Sequence, residues 1–164
     1  MEVSECLKNH IRPGQKYAVM GIGSQLRSDD AAGMYFVELL GKLLNRVGKR
    51  SDVLLIAGST APENFTGVIK DFSPDKLFII DAAHMGLSPG EAKVVPASEI
   101  GGVSFSTHML PLPVMLEYLE SESACDAIFV GIQPQSTEQG LRMDDEVKKG
   151  AEKLARVFYE TFTA

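Results

Sequence analysis

The sequence predicts an α/β fold: a three-layer αβα sandwich built on a mostly parallel, twisted five-stranded sheet, with one antiparallel edge strand and helices on both faces. Three observations carry this reading. Runs that are apolar throughout, such as Leu77-Phe78-Ile79-Ile80, suit strands buried on both faces, as parallel strands are. Longer stretches between them repeat their apolar residues at helical spacing. Strand-like and helix-like segments alternate along the chain, which calls for one sheet covered on both sides.

Taken in order, residues 4–11 form a short helix on the apolar positions Val3, Leu7 and Ile11, and Arg12-Pro13-Gly14 stops it, so residues 1–14 are a flanking segment. Residues 17–21 are the first strand. Residues 31–47 form a deeply buried helix, with Met34, Val37, Leu40, Leu44 and Val47 on one stripe, Phe36, Leu39 and Leu43 widening it, and Gly48 at its end. The second strand, 53–57, leads through Gly58-Ser59-Thr60 into a short helix reaching Lys70, with Pro62 in its first turn and Thr60 or Ala61 as its cap. The third strand, 77–80, runs straight into Asp81. A link over 85–90 precedes an edge strand at 92–95, which ends at Pro96. Ser106 or Thr107 caps a helix carrying Pro111 and Pro113 in its first turns and continuing through Met115, Leu116 and Leu119. The fifth strand, 127–132, closes at Gln133-Pro134. The last helix, 144–162, has Met143, Val147, Ala151, Leu154 and Phe158 on one stripe and Asp144, Asp145 and Glu146 at its positive end.

With 164 residues, 45% of them hydrophobic, the chain suits a single domain spanning 1–164 with a complete core. A net charge of -6 with no basic run excludes a nucleic-acid footprint. No apolar stretch approaches the roughly 20 residues of a membrane span. Cys6 and Cys125 lie far apart with no signal-peptide pattern before them, so reduced thiols in a cytoplasmic protein are expected, with Cys125 as a core residue.

The standard catalytic signatures are absent. Gly21 and Gly23 begin a dinucleotide fingerprint, but Leu26 stands where its third glycine belongs. There is no nucleophile elbow, phosphate-loop lysine, His-Glu-x-x-His or Cys-x-x-Cys. What remains are polar residues at the carboxyl ends of strands, where open α/β sheets bind ligands. Asp30 follows the first strand, Asp81 the third, and His108 opens the helix after the edge strand. Two carboxylates and an imidazole suit several divalent metals and leave coordination positions vacant. Plainer roles stand beside this one: Asp29 or Asp30 as a helix cap, Asp81 bonded to backbone donors, His108 in a capping region. Two carboxylates sharing a proton are a further alternative. His84 is either an auxiliary ligand or a solvated loop residue, and His10 needs no function. Glu63 and Asn64 either line the cleft or cap the short helix, and Gly58, Ser59 and Thr60 offer backbone amides to an extended peptide.

Several segments together resemble the nickel-iron hydrogenase maturation endopeptidases, in particular the branch that processes hydrogenases of formate hydrogenlyase and related membrane complexes. They are Gly21-Ile22-Gly23-Ser24-Gln25-Leu26-Arg27-Ser28-Asp29-Asp30, Ser59-Thr60-Ala61-Pro62-Glu63-Asn64, Ile80-Asp81-Ala82-Ala83-His84-Met85-Gly86 with Pro89-Gly90-Glu91, Ser106-Thr107-His108 leading to Pro111-Leu112, and Gly131-Ile132-Gln133-Pro134. Ser24 stands where that family usually has asparagine, and Ala31 where this branch usually has glycine. The resemblance implies that Asp30, Asp81 and His108 contact nickel; for the catalytic step, either nickel acts as a Lewis acid, or nickel is an anchor while Asp30 or Asp81 acts as general base. It also implies removal of a short carboxyl-terminal tail from a hydrogenase large-subunit precursor, by a protein expected to act as a monomer. Nickel is then carried in by the substrate. A nickel-sensing chaperone that holds the precursor without cutting it would use the same ligands, and a small nucleotide-binding protein is the third alternative.

Overall fold

The computed structural model describes residues 1–24, 28–48, 50–96, 99, 104–105, 111–122, 125–136 and 142–164. Its strands are β1 (Tyr17–Ile22), β2 (Val53–Ser59), β3 (Lys76–His84), β4 (Ala92–Val95), β5 (Ser104–Phe105) and β6 (Asp126–Ile132). The main sheet runs β2-β1-β3-β6-β4, with the first four strands parallel and β4 antiparallel along the outer side of β6. This is the mixed five-stranded sheet expected from the sequence. The two-residue β5, which no sequence pattern announces, pairs antiparallel with Ala83 and His84 at the end of β3.

Alternation along β1 and β3 divides the apolar residues between two cores. Tyr17, Val19, Phe78 and Ile80 face α1 (Val3–His10), α2 (Ala32–Asn45) and α5 (Asp145–Thr163). Ala18, Met20, Leu77 and Ile79 face α3 (Thr66–Phe72) and α4 (Pro111–Glu122), which contribute Ile69, Met115 and Leu119. Cys125 belongs to this second core, and burial pushes its thiol up to about 11. The first core is centred on Phe158, whose ring meets Phe36 and Phe78 edge-on at 5.1 and 5.4 Å. Such pairs add about 1 kcal/mol beyond the area they bury.

Helix ends depart from the periodicity reading for local reasons. α2 starts at Ala32 and stops at Asn45, because Ser28–Ala31 is a 3₁₀ turn ahead of it, so Val47 lies beyond its end and is exposed. The short helix after β2 is a 3₁₀ turn, Pro62–Phe65, followed by α3, and Ala61 precedes it with no side-chain cap. β3 continues to His84, so Asp81 is inside the strand rather than beyond it. Pro111 opens α4, as proline suits a first helical position. The expected caps Ser106 and Thr107 lie outside the described residues. Asp144 caps α5 by accepting the Glu146 N–H at 2.9 Å. Among the described residues, no helix is long and apolar enough to cross a membrane.

At the opposite end of the sheet from the strands' carboxyl ends, Arg50 donates to both Asp52 carboxylate oxygens, at 2.9 and 2.6 Å, and to the Phe162 carbonyl, tying the end of α5 to the start of β2. The hydrogen-bonded guanidinium holds the Asp52 carboxyl below its ordinary value. A depressed carboxyl contributes stability above its unfolded pKa and loses it as pH falls through the folded one. Asp52→Asn should therefore cost under about 1 kcal/mol at pH 7, the pair being partly solvated. In urea titrations run at decreasing pH, the gap to wild type should close below about pH 4. Phe158→Ala should cost about 4 kcal/mol in the same assay at pH 7, since it opens a cavity between three helices and the sheet.

Candidate functional site

The site is built where β1 leaves the sheet. Gly23 takes φ +149°, and its N–H donates to the Ser59 carbonyl at 2.9 Å. A Cβ at Gly23 would run into the Asp30 carbonyl, so the loop leaving β1 returns against its own start. α2 then begins in direct backbone contact with the sheet. A Cβ at Gly33 would strike the carbonyl oxygens of both Ile22 and Ile80, and one at Gly21 would strike the Gly33 carbonyl. The Ser28–Ala31 turn is thereby set against the carboxyl ends of β1 and β3. Two non-glycine residues with positive φ flank this loop, Ser28 at +36° and Ser59 at +53°. Backbone held in such regions costs of order 1–3 kcal/mol per residue, and it clusters at functional sites.

Asp30 is 1% exposed, and its Oδ2 accepts the Ser24 N–H at 3.2 Å. Its Oδ1 is buried with no hydrogen-bond partner among the described residues. Ser24 contributes to the loop through its backbone here. Asp81 is fully buried in β3, in register with Gly131 of β6, and its Oδ1 accepts the Ala82 N–H at 2.8 Å. The backbone-donor role considered for Asp81 is thus present. Strand alternation aims Asp81 with Ile79 and Ala83 toward the face covered by α3 and α4. Asp30 and Asp81 both stand at the carboxyl edge of the central strands, as expected, with the Asp30 turn packed on β3.

His108 lies outside the described residues, three positions before the first residue of α4. His84 is exposed at the end of β3, and three residues from Asp81 in a strand puts it on the opposite face, against a role as an auxiliary ligand beside Asp81. Glu63 and Asn64 are exposed on the 3₁₀ turn, and neither caps a helix by its side chain. The backbone N–H of Ser59 donates to Met34 Sδ at 3.3 Å. Among the described residues, no three His, Cys, Asp or Glu side chains gather as a metal-binding group.

Asp29 departs from the expectation of a cap. The residue preceding α2 is Ala31, which makes no side-chain cap bond. Asp29 is 1% exposed, and its carboxylate accepts backbone N–H groups from Gln135, Ser136 and Asp144 at 2.7, 2.9 and 2.7 Å. Sequence reasoning also missed the side chain of Gln133, which is 8% exposed and whose Oε1 accepts the N–H groups of Met85 and Leu87 at 2.7 and 3.3 Å. It fastens the link after β3 to the end of β6. The only sequence signal for either residue is a polar side chain abutting an apolar strand or turn.

A buried carboxylate oxygen without a donor among the described residues calls for a proton or a cation, since leaving a buried polar group unpaired costs about 1–3 kcal/mol. Oxygen donors from two carboxylates suit a divalent ion, and the Asp30 Oδ1 has unused lone pairs for one.

The hydrogenase maturation protease family profile matches residues 37–160. A protein of Methanocaldococcus jannaschii, provisionally named a hydrogenase maturation protease, is 34% identical over 96% of this chain and 95% of its own. The hydrogenase 3 maturation protease of Escherichia coli K12 is 30% identical over 80% of this chain and 81% of its own. The crystal structure of the [NiFe] hydrogenase maturation protease HycI from Thermococcus kodakarensis superposes with a TM-score of 0.81 at 32% identity, covering 93% of this chain and 96% of that one. From the extent of these matches we conclude that this chain belongs to the hydrogenase maturation protease family and is a peptidase.

Proposed function

We propose that this protein, acting in the cytoplasm, cleaves the carboxyl-terminal tail from a nickel-iron hydrogenase large-subunit precursor after nickel has been inserted. Asp30, Asp81 and His108 read the precursor's nickel, and Asp30 and Asp81 serve the hydrolysis. The observation that supports this most directly is the buried Asp30 Oδ1, which has no hydrogen-bond partner among the described residues. A buried carboxylate oxygen left without a partner among the described residues suits a cation that arrives with its substrate and leaves with the product. Membership of a protease family favours cleavage over the holding of a precursor by a chaperone.

In this reading the Ser24 N–H holds one oxygen of Asp30 while the other faces the incoming ion. Asp81 is held by the Ala82 N–H, which donates to its Oδ1 at 2.8 Å. In this reading one of these carboxylates takes a proton from the attacking water as general base. The water oxygen bonds to the scissile carbonyl carbon, the C–N bond breaks, and the proton passes to the departing amine. Burial of both acids keeps bulk water from competing for the ion.

Asp30→Asn, Asp81→Asn and His108→Ala should each abolish loss of the tail, followed by intact mass of a nickel-loaded precursor; normal processing by all of them would overturn the site. Asp30→Asn should also stay within about 1 kcal/mol of wild type in urea, since the isosteric amide can still accept the Ser24 N–H. Precursor lacking nickel should remain uncut under conditions where the loaded form is fully processed. Efficient cleavage of the metal-free form would show that the acids do not read the ion.

A further inference from the structure

We infer that Asp29 is a positioning residue for this reaction: by accepting N–H groups from the chain between β6 and α5, it fixes the turn that presents Asp30. The inference rests on the site proposed above. Adjacent residues of a 3₁₀ turn point about 120° apart, so the two acids face different surroundings. The Asp29 carboxylate is engaged by the backbone N–H groups of Gln135, Ser136 and Asp144. The same turn donates back, through the Asp29 N–H to the Ser136 carbonyl at 3.2 Å and the Ser28 hydroxyl to that carbonyl at 2.6 Å. Asp30 is held far less: its Oδ1 has no partner among the described residues, and its Oδ2 bond to Ser24 is 3.2 Å long.

The location of the reactive oxygen is therefore set by the backbone of the turn, and the backbone of the turn is set by Asp29. A carboxylate is required because every bond its side chain makes among the described residues is accepted. An amide at this position would turn its NH₂ toward the Asp144 N–H or toward those of Gln135 and Ser136, and the turn would have to shift. Displacements near 1 Å at a reacting group cost about 100-fold in rate. The device also explains why two acids stand side by side: one is consumed by the backbone so that the other can remain unconsumed.

The test compares Asp29→Asn with wild type in single-turnover cleavage of nickel-loaded precursor and in amide hydrogen exchange of the free protein. Cleavage should slow by at least about tenfold. The Ser24 amide should exchange at least about tenfold faster, while Ile79 and Phe129 in the central strands exchange as in wild type. Ser28→Ala, which removes one bond of the latch, should shift both readouts the same way by about threefold. A folded Asp29→Asn that cleaves at the wild-type rate would overturn the inference. So would a loss of rate in which Ile79 and Phe129 speed up as much as Ser24, because that is general loosening. If Asp29→Asn does not fold, Ser28→Ala decides, and wild-type behaviour in both readouts counts against the latch. Normal cleavage by Asp30→Asn would instead remove the proposed site itself, while an inactive Asp30→Asn beside a fully active Asp29→Asn would remove only the role of Asp29.

Discussion

The carboxyl edge of this protein depends on one close approach, the seating of the first turn of α2 directly on the backbone of β1 and β3. No side chain separates them: Gly33 lies against the Ile22 and Ile80 carbonyls, and Gly21 against that of Gly33. Glycine inside a helix is about 1 kcal/mol worse than alanine, and the cost is met by the core that α2 seals with Phe36, Val37 and Leu40. A helix lifted by even one methyl group would carry the preceding turn with it, and both of its acids. The geometry of the acids is thus inherited from backbone packing and does not rest on the reach of long side chains.

On that platform, two neighbouring carboxylates receive opposite treatment. Asp29 is saturated by main-chain donors, whereas Asp30 keeps an oxygen in reserve. The first stabilises by hydrogen bonds to a charged acceptor, each worth about 1.5–3 kcal/mol. The second keeps a buried oxygen with no hydrogen-bond partner among the described residues. Stability and readiness are divided between residues adjacent in sequence, and the Gln133 side chain extends the same fastening to the link after β3.

Much of this was legible in the sequence, for physical reasons that differ by element. The central strands could be read because burial on both faces forces them to be apolar throughout, and α5 because its stripe and its Asp144 cap are both local signals. Asp30 and Asp81 stand out as candidates because each is a polar residue following an apolar run, and the structure buries both, Asp81 inside β3. Helix starts were less legible: a 3₁₀ turn and an α-helical turn share nearly the same spacing, so α2 was extended back over Ala31. The role of Asp29 was unreadable, because its partners lie more than a hundred residues away and are backbone amides, which carry no residue-type signature. β5 is too short to leave a pattern.

The two thiols of the chain bear on what happens after catalysis. Cys6 and Cys125 are both buried, and burial raises the pKa of each, that of Cys125 to about 11. Neither presents a thiolate. Soft sulfur ligands compete strongly for late first-row metals, while carboxylate oxygens bind them less avidly. Under the proposed function, a site that met the precursor's nickel with Asp30, Asp81 and His108, while both cysteine thiols stayed buried and protonated, would test for the ion without competing for it through a thiolate. The processed subunit would then keep the ion it brought.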